Sequence, residues 1–173
     1  TGKKVALLTG NESLKKNGYL DKIEKYLSAS KIAYSIIEGI SADPHEKEIF
    51  SISNKLLEIK PDWIVGVGGG SVMDMAKLSW AFYENPNMLL SEFKDPFIIP
   101  ELRKKARLCL IPTTCGTGSE VSNSAILTAN KKKIPIISTC FIPDIAILDP
   151  NLILNINKKV LASTAIDAFT HAI

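Results

Sequence analysis

The sequence is poor in the residues that mark several common kinds of site. Cysteine occurs three times, at Cys109, Cys115 and Cys140. The number is odd, the spacing is wide and no Cys-x-x-Cys or zinc-knuckle pattern arises, so a reducing compartment is the simplest inference. No apolar run approaches about 18 residues, which leaves no candidate membrane-spanning helix. The first residues, Thr-Gly-Lys-Lys, lead into a strand-like run rather than a signal peptide, and a cytoplasmic location is expected. An excess of one charge is also lacking: 21 basic and 18 acidic side chains give a net charge of +3. Nothing therefore calls for nucleic acid or an acidic membrane as partner. The cluster Arg103, Lys104, Lys105 and Arg107 reads as solvated loop, and a second lies at Lys131 to Lys133. Neither the dinucleotide G-x-G-x-x-G spacing nor a Walker loop occurs.

Apolar residues are plentiful, at 46%, enough for one respectable core in a single domain or slightly more. The chain is organised around residues 62 to 77, Asp-Trp-Ile-Val-Gly-Val-Gly-Gly-Gly-Ser-Val-Met-Asp-Met-Ala-Lys. Trp63 to Val67 reads as a buried strand, and Gly68 to Gly70 as a tight turn. A helix follows, with Ser71 as N-cap, Asp74 as capping-box partner, and Val72, Ala76, Trp80 and Tyr83 on one face. Unpaired N–H groups and the helix dipole would suit a phosphate at this turn. The alternative is a βα turn that needs glycine for its geometry alone.

In chain order, Val5 to Thr9 reads as a strand and Ser13 to Ser30 as a helix carrying Leu14, Ile23, Tyr26 and Leu27. Ala33 to Glu38 is a strand and Glu46 to Ile59 an amphipathic helix, followed by the glycine strand. This βα order predicts an α/β fold with a Rossmann-like parallel sheet and helices on both faces. Beyond Asn85-Pro86 the stretch to Pro100, with Pro96, reads as irregular or partly helical. Leu108 to Ile111 is a fourth strand, opening onto Thr113-Thr-Cys-Gly-Thr-Gly-Ser-Glu120, where hydroxyls and glycines let donors approach a polar ligand. It too could be a turn merely rich in Ser and Thr. Both loops follow parallel strands, so the topology places them on one edge, where ligands of open α/β sheets sit.

Ser124 to Thr128 and Ile134 to Ser138 suggest a hairpin inserted in the sheet around a turn at Asn130 to Lys133, and Ile145 to Leu148 a further strand. From Lys158 the pattern is helical to the end, with Asp167 and His171 four apart on one face. Such a pair can grip one divalent metal, or be an exposed polar pair; two ligands do not complete a tight site.

Four stretches in order, Gly68 to Lys77, Pro112 to Glu120, Asp149-Pro-Asn-Leu152 and Asp167-Ala-Phe-Thr-His-Ala-Ile173, together resemble the iron-containing (group III) alcohol dehydrogenases. The resemblance implies a dehydroquinate-synthase-like fold, with residues 1–155 as the nucleotide-binding domain and 156–173 as the first helix of an all-helical domain whose remainder is absent. On that basis the chain is expected to be cut at both ends and inactive alone. Gly69, Gly70, Ser71 and Asp74 resemble the residues at the cofactor's phosphates and ribose, and Thr113, Thr114, Thr117 and Ser119 the second cofactor loop. Lys133 resembles the lysine near the nicotinamide ribose, and Asp167 and His171 resemble metal ligands, for Fe(II) or Zn(II). Catalytic residues beyond those ligands are not implied; Asp149 reads as a cap.

Three departures bear on this. Gly10 stands where NAD-preferring relatives carry an acid, and Ser13 and Lys15 could hold a phosphate, which leans the preference to NADP(H) over NAD(H), with Glu12 against it. Asp43 replaces a common Asn, and Ile166 a common Gly. The implied partner is a small alcohol or aldehyde, with a homo-oligomer left open. Alternatives are a silent nucleotide-binding module, or a polyol dehydrogenase or cyclase of the same fold.

Overall fold

A computed structural model of the chain describes residues 2–94, 99–129, 132–154 and 156–173. Among these residues the helices and strands run in the order β1 (Lys4–Thr9), α1 (Ser13–Lys16), α2 (Tyr19–Ala29), β2 (Ala33–Ile37), α3 (Glu46–Ile59), β3 (Trp63–Gly68), α4 (Gly70–Glu84), β4 (Arg107–Pro112), β5 (Ser124–Ala129), β6 (Lys132–Ile137), β7 (Ile145–Ala146), α5 (Asn151–Leu154) and α6 (Lys158–Ala172). Short 3-10 turns lie at Leu90–Lys94 and Thr139–Phe141. Pro96, the turn residues Asn130 and Lys131, and Asn155 at the expected domain boundary lie outside the described residues.

β2, β1, β3, β4 and β7 form one sheet in that order, every pair parallel. Alternate residues of β1 serve opposite cores, as the period of two requires. Ala6 and Leu8 pack in the cluster holding α3 and α4, while Val5 and Leu7 pack with Leu14 and Leu20 on the other face. Helices therefore cover both faces of the sheet, as expected. The chain leaves β1 toward β2 on one side and returns to β3 on the other, so the strand order reverses at the β1/β3 boundary. Thr9 pairs with Val67 and Gly68 with Pro112, which opens the loops after β1, β3 and β4 on the same edge.

Helix α4 is buried on all sides: every residue from Val72 to Glu84 is buried. The expected single apolar face is thus a correction, and its cause is that α3, β3, β4 and β5 surround the helix. Its polar groups find partners there. Trp80 Nε1 donates to Ala106 O at 3.0 Å, Tyr83 Oη to Pro61 O at 3.1 Å, and the Glu84 carboxylate accepts from the N–H groups of Lys104, Lys105 and Ala106. Arg103 is no mere solvated charge: it lies over the Trp80 ring and donates to Asp144 Oδ1 at 2.9 Å and to the carbonyls of Cys140 and Ile142.

Three further expectations are corrected. The helix over Ser13 to Ser30 is two, broken at Asn17-Gly18 because Gly18 turns the chain at φ +69°. β5 and β6 form a separate two-stranded antiparallel ribbon that packs on α4, rather than joining the sheet. The strand at Ile145 to Leu148 shortens to the two residues of β7, and α5 follows it.

Candidate functional site

The edge where the strands end carries two cavities that meet at the glycine turn. The first, about 440 Å³, is lined by Asp43, Gly70, Ser71, Asp74, Thr117, Ser119, Lys133, Asp167 and His171, with Ser122, Ser124, Ile126 and Thr128 as its floor. The second, about 400 Å³, takes Ser13, Gly69, Thr113 and Thr114 together with the apolar Leu14, Tyr19, Leu152, Ile156 and Val160. Of the sequence-derived candidates, Gly10 and Lys15 stand apart from both linings; Gly10 follows the last residue of β1, and its carbonyl accepts from Gly39 N at 3.2 Å.

Gly69 is the N-cap of α4 and donates no side-chain cap; Gly70 and Ser71 are its first helical residues. The N–H groups of these first residues have no carbonyl one turn back within the helix, and they sit between the two cavities. The expected capping box is overturned. Ser71 Oγ donates to Ala42 O, tying the loop that carries Asp43 to α4, while Asp74 turns inward and accepts from Ser119 Oγ at 2.7 Å. Glycine at the N-cap costs only a few tenths of a kcal/mol relative to serine, which lets the helix begin two residues earlier.

The glycines of the turn have negative φ and are needed for close packing, not for a left-handed backbone. A Cβ on Gly70 would stand 2.9 Å from Thr117 Cγ2, and one on Gly69 would stand 3.3 Å from Thr114 Oγ1. The two donor-rich loops thus touch each other. Gly116 is different: its φ is +118°, and a Cβ there would stand 2.3 Å from Thr164 O on α6.

That close approach brings α6 to the site. Cys115 Sγ lies 3.6 Å from Thr164 Oγ1, and His171 Nδ1 lies 3.2 Å from Gly116 O. A carbonyl can only accept, so Nδ1 is the donor, and in the neutral ring this tautomer leaves the lone pair on Nε2. Nε2 faces Asp167 Oδ1 at 3.9 Å. Fixing one ring nitrogen by a backbone carbonyl is how metal-ligating histidines are commonly oriented. The pair suits two positions of a divalent ion's shell, and among the described residues no group of three His, Cys, Asp or Glu side chains completes it. His45, the other histidine, precedes α3 and bridges to Thr128 of β5.

Charge is distributed around the first cavity in opposed pairs. Lys133 Nζ lies 3.6 Å from Asp43 Oδ1. Burial raises the Asp74 carboxyl above its ordinary value, against the Ser119 hydrogen bond, the Ile126 N–H and the cations of Lys77 and Lys133. Sequence reasoning gave no role to Lys77, wholly buried in α4 one turn beyond Asp74. The pattern gave no sign of it, because Ser71, Asp74, Lys77 and Glu84 recur at the spacing of an ordinary polar helix face. In the second cavity, Lys16 rather than Lys15 is in the lining, and it is paired with Glu12. Tyr19 Oη donates to Asn151 O at 2.5 Å, joining α2 to α5 beside that cavity.

Residues 1–150 match the family model for iron-containing alcohol dehydrogenases. The chain is 40% identical to an NADPH-dependent butanol dehydrogenase of Clostridium saccharobutylicum, over 99% of this chain and 45% of that one. Among solved structures it superposes on an iron-containing alcohol dehydrogenase of Thermococcus thioreducens with TM-score 0.87 and 33% identity, covering 96% of this chain and 45% of that one. An NADH-dependent butanol dehydrogenase of Thermotoga maritima gives 0.88 and 27%, over 98% and 42%. The chain therefore spans somewhat under half the length of these relatives, and over that span it belongs to the iron-containing alcohol dehydrogenase family.

Proposed function

We infer that this chain forms the nucleotide-binding part of a metal-dependent alcohol dehydrogenase or aldehyde reductase, which uses NADP(H) in preference to NAD(H). One observation carries this: the glycine turn, the second hydroxyl loop and the Asp167–His171 pair border a single cavity. The domain division is proposed likewise, with residues 1–155 holding the nucleotide and 156–173 beginning the metal-binding part.

The nucleotide's adenosine end fits the more apolar second cavity, its phosphates the N-terminus of α4 at Gly69 to Ser71, and its nicotinamide end the first cavity. Thr113, Thr114, Thr117 and Ser119 border this path, and Lys133, paired with Asp43, stands at its polar end. Gly10 keeps the first strand's end free of an acid that would repel a 2′-phosphate, while Ser13 and Lys16 supply donors in the second cavity. Ser71 acts less as a phosphate donor than as the tether that holds Asp43's loop.

Asp167 and His171 would hold a divalent ion, Fe(II) or Zn(II), through a carboxylate oxygen and Nε2, and the ion would supply Lewis acidity toward an alcohol or aldehyde oxygen. A nicotinamide supplies or accepts the hydride; the chain's residues fix distance and orientation. Gly116 O keeps Nδ1 protonated, so Nε2 stays available at the cavity. The substrate is a small alcohol or aldehyde, consistent with what the relatives' names say of them.

The direct test is aldehyde reduction by the whole enzyme of which this chain is proposed to be the nucleotide-binding part, with NADPH and with NADH, after chelation and after adding back Fe(II) or Zn(II). Turnover that disappears on chelation, returns with metal and favours NADPH is expected. Metal-independent turnover would remove the metal assignment, and an NADH preference would remove the cofactor assignment.

A further inference from the structure

Lys77 is fully buried, and no carboxylate forms an ion pair with it among the described residues. Its ammonium instead spends all three hydrogens on one short segment: Ser122 O at 2.8 Å, Ser122 Oγ at 3.0 Å and Ser124 O at 2.9 Å. One turn earlier on the same helix, Asp74 accepts from Ser119 Oγ at 2.7 Å and from the Ile126 N–H. Two charged groups of α4 thus fasten both ends and the middle of residues 119–126. That segment supplies Ser119, Ser122, Ser124 and Ile126 to the floor of the first cavity and begins β5, which carries Lys133 through its pairing with β6.

A buried ammonium is an expensive way to fill a helix interface, since an apolar side chain of the same length packs there without desolvation. What it provides instead is direction. Carbonyls at two positions and one hydroxyl must all point at one atom, which fixes the path of the segment to within hydrogen-bond tolerance. An apolar contact would allow it to slide.

We propose that Lys77 is a positioning residue of the cavity: its ammonium sets the path of residues 119–126, and through them the placement of Ser119 and Lys133 against the ligand. The effect on ligand affinity rests on the nucleotide site described above, whereas the hold on the segment does not.

Burial lowers the Lys77 pKa from the ordinary 10.5 to about 8, against the pull of the Asp74 and Glu120 carboxylates, the charged groups that act on it.

The test is amide hydrogen exchange by residue, with calorimetric titration of NADPH, on the wild-type protein, Lys77→Met and Ser122→Ala. Lys77→Met keeps length and removes every donor; Ser122→Ala removes one acceptor. In Lys77→Met, exchange at 119–126 should accelerate and NADPH binding weaken, each by about tenfold or more, as for loss of a charge-assisted hydrogen bond. Exchange in β1 and β3 should not change, and Ser122→Ala should fall between. Unchanged exchange at 119–126, or equal acceleration in β1 and β3, would overturn the proposal. If Lys77→Met does not fold, Ser122→Ala decides: exchange at 119–126 should accelerate relative to β1 and β3, and unchanged exchange there would overturn the proposal. Wild-type protein that binds no NADPH would instead count against the nucleotide site, leaving the exchange result to judge Lys77.

Discussion

Helices α4 and α6 are both 15 residues long and both carry side chains to the same cavity, yet they are held in opposite ways. α4 has thirteen buried residues and hydrogen bonds to four other segments, whereas α6 has none buried and reaches the rest of the chain through Thr164, His171 and the close approach at Gly116. Ile166 and Phe169 of α6 stand 67% and 66% exposed, on a face that nothing in this chain covers among the described residues. The contrast separates two tasks. α4 is placed by the core and has little freedom to move, so groups on it can hold a ligand's fixed parts. α6 is placed by a few contacts at one loop, so its position depends on that loop.

The largest effect on stability should come from α4. Trp80→Ala removes a wholly buried ring, its bond to Ala106 O and the surface under Arg103, and should cost about 3–5 kcal/mol in urea denaturation. The matched change on α6, Phe169→Ala, should alter stability by less than about 0.5 kcal/mol, since the ring is already in solvent. Equal costs for the two would erase the distinction.

A middle effect is expected at the joint between loop and helix. Gly116→Ala forces a side chain onto Thr164 O at a positive φ, and should cost about 1–3 kcal/mol while releasing α6 from the loop. The His171 ring should then lose its fixed Nδ1 partner, visible as a change in its NMR tautomer signature. An unchanged signature would mean that other contacts place α6.

The smallest effect on stability belongs to Asp167→Ala and His171→Ala. Both residues are substantially exposed, at 45% and 62%, so each change should shift stability by less than about 0.5 kcal/mol. In the whole enzyme of which this chain is proposed to be a part, metal-dependent turnover should nevertheless be abolished, with nucleotide affinity nearly intact. Wild-type turnover in either variant would remove them as ligands.

The same contrast explains what could be read from the sequence. The alternation of β1, α3, β3, α4 and β4 was legible because apolar period and glycine or proline punctuation agree there, and α3 has the bounds its pattern predicts. The convergence of the two loops on one edge followed from topology alone. What the pattern could not separate was local from tertiary bonding. Ser71 and Asp74 have capping-box spacing, but their partners are Ala42 and Ser119, 29 and 45 residues away. Lys77 was passed over for the same reason, since its acceptors lie 45 and 47 residues on. Arg103 looked like one more basic surface residue until Trp80 and Asp144 were placed beside it. The hairpin was found but its sheet was not, because strand pattern reports alternation and not which edge a strand joins.

In the proposed function, the turn at Gly69 to Ser71 joins the two cavities into one nucleotide site. Trp63 begins β3 at the opposite end from that turn and Trp80 is wholly buried, so calorimetry reports on the site more directly than tryptophan quenching. The decisive measurement is a parallel calorimetric titration of NADPH and NADH into the wild-type protein and into Gly70→Val, whose side chain would press on Thr117. Saturable binding, tighter for NADPH and lost in Gly70→Val, is the expected result. Binding of neither nucleotide, or binding that Gly70→Val leaves untouched, would contradict the claim.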